Sequence, residues 1–362
     1  MSTVRRYALP VDQTQWKIPG TFDTVFNWEY NAGRENLLAL YEKGKERQWN
    51  ASRRIDWSQD VDPENPIQVP DNYISIYGSD IWEGMTNKEK RNLRHHFQGW
   101  QFSQFLHGEQ GALVCTAKIV QGVPDMDAKF YAATQVIDEA RHVEVYSRYL
   151  HDKLELAYPV NPALKALLEN ILSDSRWDMT YLGMQILIEG LALAAFGLIR
   201  DLAQNPLASA INAYVMQDES RHVAFGRMSL RDFYPQLTDA ERREREEFVV
   251  EACYHMRDRF MAEEVWERIG LPVDRCLAYQ EDSEIMREYR KMLFTRIVPT
   301  IKDIGLWGPT VQKGYAQMGV LDFAEIDVQA LLDYDDRYAQ DLDARKQQVE
   351  ETIEVGRRVA NA

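Results

Sequence analysis

From Asn87 almost to the C-terminus, apolar residues recur at intervals of three and four, and strand-type alternation of Val and Ile is almost absent. Such spacing lines one face of a helix with apolar side chains. Gly and Pro break the pattern at 122–124, 159–162, 205–206, 235, 270–272, 299 and 308–309. The helices left between them are long, notably 125–156 and 175–203, well beyond the usual mean of about 11–12 residues. Long helices joined by short connections fold into an antiparallel bundle. Upstream, a first helix is expected over 34–49. Residues 50–73, rich in Pro, Asp and Asn, read as a long loop, and residues 1–30 as irregular. An acidic helix over 336–355 is expected on the outside or at an interface. The expectation is one all-α domain over 1–362. Its bundle core spans about 87–233, with an N-terminal extension (1–86) and peripheral helices (238–362).

Composition narrows the class. Of the 362 residues, 45% are hydrophobic and 27% charged, so the chain is globular rather than disordered. A net charge of −15 disfavours non-specific binding to nucleic acid. Three cysteines without CxxC spacing fit a reducing compartment better than a disulfide framework. The first twenty residues hold no apolar core of a secretory signal. The most apolar stretch, 182–199, is interrupted by Gln185 and Glu189, which suits a protein core rather than lipid. A cytoplasmic protein without membrane insertion is expected.

The candidate chemistry lies in a repeat. Residues 138–143 read DEARHV and residues 218–223 read DESRHV, an offset of 80. Thirty residues before each motif glutamate stands another, Glu109 before Glu139 and Glu189 before Glu219. The chain thus carries one unit twice: Glu, then Glu-x-x-His. Glu139 and His142 share a helix face one turn apart, as do Glu219 and His222. Glu109 precedes the break at 122–124 by about fourteen residues and Glu139 follows it by about sixteen. At roughly 1.5 Å per residue, a hairpin folded there brings both to one height. The second half repeats this around 205–206, so four carboxylates and two imidazoles converge in the core.

Glu109 is followed by Gly111, Ala112, Leu113 and Val114, and Glu189 by Leu191, Ala192, Leu193 and Ala194. Four ionised carboxylates among such neighbours are very costly unless paired. Protonation is one escape. Two divalent cations are a better one, since their four positive charges cancel four negative ones. Oxygen-rich ligands with one imidazole per metal suit iron or manganese. A single ExxH is usually a solvated pair on a helix surface. The doubled motif also allows a structural salt-bridge repeat, but that reading leaves Glu109 and Glu189 unexplained.

On these residues the chain resembles the ferritin-like carboxylate-bridged diiron superfamily. It is similar to bacterial multicomponent monooxygenase hydroxylases, ribonucleotide reductase small subunits and aminobenzoate N-oxygenases, over about residues 87–233. The resemblance implies a ferritin-like four-helix bundle and two metal ions, Fe/Fe or Mn/Fe, with O₂ as co-substrate. It implies Glu109, Glu139 and His142 on one metal, Glu189, Glu219 and His222 on the other, and Glu139 and Glu219 as bridges. Asp138 and Asp218 would each hold the imidazole N–H of the other half, a role that fixes the His tautomer. Arg141 and Arg221 would neutralise those aspartates; the other reading puts them on the outer helix face as surface charges. N-oxygenases of this type carry an extra His ligand one turn before the second motif. Here that residue is Val215, which argues against their chemistry. Multicomponent hydroxylases carry Thr where this chain has Leu193. The radical Tyr of ribonucleotide reductase small subunits corresponds to Tyr146, but the chain's last residues lack the Tyr those proteins use to pass the radical on.

The expected function is a diiron monooxygenase that hydroxylates or N-oxygenates a small to medium organic substrate. Inward positions near the ligands are Leu113, Tyr146, Gln185, Ala192, Leu193, Phe196, Val215 and Phe225, a mostly apolar pocket. The buried amide of Gln185 requires a partner there. No GxGxxG fingerprint is present, so electrons are expected from a separate reductase or ferredoxin, docked on the acidic surface. A homodimer is expected, and Trp57 is a candidate cover for the site. The alternative is a radical-generating or ligand-binding oxidase using Tyr146. Iron storage is disfavoured by the long extra segments.

Overall fold

The computed structural model describes residues 16–28, 30 and 33–360, so the segment before residue 16 lies outside the described residues. Among the described residues there are helices and no strands. Four long helices form the core. The first two make one hairpin, α2 (Asn87–Gly122) and α3 (Met126–Arg148), and the second hairpin is α5 (Trp177–Leu202) and α6 (Pro206–Phe233). Helix α1 (Glu35–Glu46) packs on α3 and α6, α4 (Pro162–Ser173) on α2, and α7 (Asp239–Asp258) on α4. The last helix, α8 (Val328–Ala360), packs on α6.

Local chemistry sets the helix starts. Thr86 and Glu89 close a reciprocal capping box at the head of α2, and Asp125 caps α3 through the Ala128 N–H. Asn205 caps α6 through the Ala208 N–H, with Pro206 in the first turn, where its missing N–H costs nothing. Gly111 allows α4 close to α2: a Cβ there would lie 2.5 Å from Leu168 Cδ2. Helix α5 is long and apolar enough to cross a membrane, yet 83% of its most apolar window is buried inside the protein, as in a core helix. All three cysteines are buried and free.

The structure departs from the sequence pattern in several places. Helix α1 stops at Glu46, three residues before the expected end, because Gln48 and Trp49 turn inward to bond aspartates of α3 and α6. The expected loop 50–73 contains a short helix, Ala51–Arg54, and a 3₁₀ turn, Asp71–Tyr73. It is also tied to the core: the Ile67 N–H donates to Gln98 Oε1. Pro299, expected to break the chain, sits in the first turn of a helix, Ile297–Asp303, which tolerates it. Helix α8 is longer than expected at both ends. Its N-terminal half is a core element, with Asp335 buried between Arg200 and Arg296. Within α5, residues Leu182–Ile188 widen into a π-helical stretch that ends directly before Glu189. Such stretches recur at functional sites.

Candidate metal centre

The two hairpins bring the repeat together at mid-height. Two groups of ligand atoms form, each with all its atoms within 4.8 Å of one another. One is Glu109, Glu139, His142 and Glu219; the other is Glu139, Glu189, Glu219 and His222. Glu139 and Glu219 belong to both. All six residues are buried.

The imidazoles define the character of the cluster. Nε2 of His142 lies 3.1 Å from Asp218 Oδ2, and Nε2 of His222 lies 3.2 Å from Asp138 Oδ2. Each aspartate comes from the opposite hairpin. With Nε2 carrying the proton toward Asp, Nδ1 of each ring is a lone pair facing the cluster. Yet Nδ1 of His142 has Glu219 Oε1 at 3.0 Å, Glu109 Oε2 at 3.1 Å and Glu139 Oε2 at 3.3 Å. Nδ1 of His222 faces Glu139 Oε1 at 3.0 Å and Glu219 Oε2 at 3.3 Å. These are acceptors converging on acceptors. In addition, Glu139 Oε2, Glu189 Oε2 and Glu219 Oε1 are buried without a hydrogen-bond partner. A donor set of this kind fits a pair of cations.

Without cations the cluster holds protons. Burial, followed by the charge of Glu219, pushes the Glu109 and Glu189 carboxyls well above the ordinary range. Burial alone would lower His142 and His222, but the surrounding carboxylates overturn it and raise both well above their usual value. Burial would likewise raise Glu139, yet His222 and His142 hold it below its usual value.

A second ring of charge surrounds the ligands. Arg141 pairs with Asp138 and, at 3.0 Å, with Asp218; Arg221 pairs with Asp218 and, at 3.6 Å, with Asp138. Both arginines are buried, so they are not surface charges. Two arginines against two aspartates leave the four glutamates as the uncompensated charge. Arg221, His142 and Arg141 hold the Asp218 carboxyl far below the value its burial would otherwise favour.

Three polar residues at the site carried no sequence signal strong enough to single them out. Gln48 Nε2 donates to Asp138 Oδ1 at 2.7 Å, and Trp49 Nε1 to Asp218 Oδ2 at 2.7 Å. Gln135, one turn before Glu139, donates to both Glu139 Oε1 and Glu189 Oε1 at 2.9 Å. Val215 is its counterpart 80 residues on, buried and aliphatic. The repeat could have exposed Gln135; nothing local marks Gln48 and Trp49. Trp57, considered as a cover, instead donates to Ala51 O and stacks under Arg148.

A small cavity of about 30 Å³ touches Glu109, Glu189 and Glu219. Of the eight inward positions, Ala192 and Phe196 line it, alongside Gln104, Phe105, Arg259 and Phe260. Leu113, Leu193 and Val215 do not. Tyr146 packs on Phe102, Phe105 and Phe196 and donates to Asn212 Oδ1 at 3.2 Å. Phe225 belongs to a separate cluster with Tyr131 and Tyr181. Gln185 lies in the π-helical stretch, fully buried, and neither amide atom has a hydrogen-bond partner.

The profile of the p-aminobenzoate N-oxygenase AurF family matches residues 31–305, which include the whole cluster. The chain belongs to this family. It is accordingly an oxidoreductase of the ferritin-like superfamily with a dimetal-type site. Among solved structures it is similar to an R2-like ligand-binding oxidase variant with an anaerobically reconstituted Mn/Fe cofactor. That match has 19% identity and a TM-score of 0.45, and it covers 78% of this chain and 96% of that one. A second variant of the same description matches at 17% identity and a TM-score of 0.46, over 78% and 96% of the two chains. No curated protein matches the chain.

Proposed function

We propose that this protein uses O₂ at a carboxylate-bridged pair of metal ions, Fe/Fe or Mn/Fe, to hydroxylate or N-oxygenate a small to medium organic molecule. The observation that carries this reading is the pair of overlapping ligand groups that share Glu139 and Glu219. In it, Glu109 and His142 would hold one metal ion and Glu189 and His222 the other, with Glu139 and Glu219 available to both. The metal pair supplies the redox chemistry that activates O₂. The protein's own residues do the rest. Asp138 and Asp218 hold the imidazole tautomers, and Gln135 orients Glu139 and Glu189. The apolar wall formed by Phe105, Ala192 and Phe196 keeps bulk water from the reacting atoms.

Electrons are assigned to a separate reductase or ferredoxin. The hydrogen-bonded series His142, Asp218, Trp49 supports this, since it runs from a ligand to a half-buried indole. A net charge of −15 suits a basic docking patch on such a partner. One domain, a homodimer and a cytoplasmic location belong to the same reading, and sizing of the purified protein checks the dimer. The test of the site is metal analysis of Glu109→Ala and Glu189→Ala. Each is expected to lose metal relative to a wild type holding two ions per chain. Retention of two ions by both variants overturns the assignment.

A second reading rests on Tyr146. Its phenol is fully buried one turn beyond His142, and burial, with Glu109 and Glu219 nearby, pushes it well above its ordinary value. In a radical-generating or ligand-binding oxidase this side chain would carry the function.

A further inference from the structure

One face of this acidic protein is basic. Five cations, Arg53, Arg54, Arg148, Arg345 and Lys346, line a surface pocket of about 770 Å³ whose wall holds a single carboxylate, Asp56. They come from three remote parts of the chain: the short helix Ala51–Arg54, the last residue of α3, and the middle of α8. In a chain with a net charge of −15, this gathering of one sign runs against the composition. Like charges around one hollow repel one another, and a bound anion removes that repulsion.

The pocket is only partly neutralised from within. Arg54 pairs with Asp343 at 2.6 Å, and Arg148 lies 3.3 Å from Asp152. Asp56 is engaged locally: it accepts from the Ser58 hydroxyl at 2.6 Å and the Ser58 N–H at 3.0 Å, which hold its carboxyl below the usual value. Lys346 Nζ donates to the Arg54 carbonyl at 2.7 Å, a neutral acceptor that orients the ammonium without cancelling its charge. Arg53 and Arg345 are exposed, and among the described residues their side chains join no carboxylate. Two guanidinium groups therefore face this hollow uncommitted.

The wall also carries apolar surface, from Ile55, Trp57 and Leu342. Trp57 is anchored through Nε1 to Ala51 O at 2.9 Å, and the Arg148 guanidinium carbon stands 4.2 Å from its ring. Cations around an indole and aliphatic carbons fit a ligand that joins anionic oxygens to an organic body. Arginine matches phosphate oxygens with paired hydrogen bonds, and two uncommitted guanidiniums match a group carrying about two negative charges. A concave pocket of this size suits a small molecule better than the flat face of an acidic protein.

We propose that this pocket binds a phosphorylated organic molecule of nucleotide size, its phosphate oxygens held by Arg53, Arg345 and Lys346 and its organic part set against Trp57 and Leu342. The site is distinct from the metal cluster and does not depend on it. Arg54 connects the two regions. Its guanidinium carbon lies 4.0 Å from the Tyr214 ring and 5.4 Å from the Trp49 ring, and Trp49 donates to Asp218. An anion in the pocket thus changes the charge beside two indoles, Trp49 and Trp57, which gives binding an optical signal.

The test titrates the full-length protein with inorganic phosphate, pyrophosphate, adenosine monophosphate and adenosine diphosphate, following tryptophan fluorescence and heat, with sodium chloride at matched ionic strength as the control. At least one nucleotide is expected to saturate a single site per chain. The double variant Arg53→Gln, Arg345→Gln should weaken it roughly ten- to a hundred-fold. Trp57→Leu should weaken the nucleotide and leave pyrophosphate unchanged. A second double variant, Arg243→Gln, Lys313→Gln, removes the same charge from exposed positions outside the pocket and should bind as wild type does. The proposal is overturned if no phosphate probe saturates, if the Arg53 and Arg345 variant binds as wild type does, or if the second double variant loses as much affinity. An oligo-aspartate peptide that binds more tightly than every phosphate probe also overturns it, in favour of an acidic protein partner. Both pocket arginines are exposed, so their substitution should leave the unfolding midpoint and the metal content unchanged.

Discussion

Asp218→Asn is the sharpest probe of how the site is held. Asp218 is fully buried and receives four donors: His142 Nε2 at 3.1 Å, Trp49 Nε1 at 2.7 Å, Arg141 Nη2 at 3.0 Å, and Arg221 Nη2. Asparagine keeps the shape but removes the charge, and it turns an N–H₂ toward groups that can only donate. Taking one partner from a buried ion pair costs about 3–5 kcal/mol, because the other charge is stranded. Here Asp138 still holds Arg141 and, at 3.6 Å, faces Arg221, so the lower end, about 3 kcal/mol, is expected. The imidazole of His142 also loses its fixed tautomer, for which a loss of about 10–100-fold in metal affinity is expected. Urea unfolding of the metal-free variant measures the first effect. Ferrous titration against a competing chelator measures the second. A stability loss below about 1 kcal/mol together with unchanged metal affinity would refute the view that the aspartate ring organises the centre.

Four further outcomes are expected. Glu109, Glu189, His142 and His222 all hold protons more tightly than usual in the metal-free protein, and metal requires them deprotonated. Loading should therefore release protons, seen as a dependence of calorimetric heat on buffer ionisation, and affinity should rise with pH. Groups raised in the folded state stabilise it below their unfolded values and lose that contribution as pH rises through the folded ones. The metal-free unfolding midpoint should thus fall as pH rises above the ordinary carboxylate and imidazole values, and a flat or rising profile would contradict the assignment. Tyr146→Phe removes one buried hydrogen bond to Asn212 and should cost about 1–2 kcal/mol while leaving substrate oxidation intact. Abolished function with loss of a radical signal would favour the second reading instead. Gly226→Ala would place a Cβ 2.6 Å from Gln185 Cβ and 3.1 Å from Ile186 Cδ1, where α6 crosses the π-helical stretch. The Gln185 Cβ is bonded directly to its Cα and cannot swing away, so thermal unfolding should show a loss of about 1–3 kcal/mol.

The all-α class and the hairpin register were legible in the chain itself, for a simple reason. The rise of a helix is constant, and side chains three apart share a face. An 80-residue repeat of Glu and Glu-x-x-His therefore has few ways to fold except with its ligands at one level. The breaks at 122–124 and 205–206 were legible too, because Gly, Pro and Asn act on their own backbone. Tertiary packing decided what reaches the repeat from elsewhere. Gln48 and Trp49 arrive from 90 and 169 residues away, and they end α1 early to do so. Arg259 and Phe260 arrive from beyond the bundle, at a helix end no periodicity marks. A pairing between distant side chains leaves no local pattern, since its energy exists only once the helices have packed. Local backbone preferences thus set where each ligand stands along its helix, and the packing of remote segments sets which charges surround it and what the neighbouring cavity can hold.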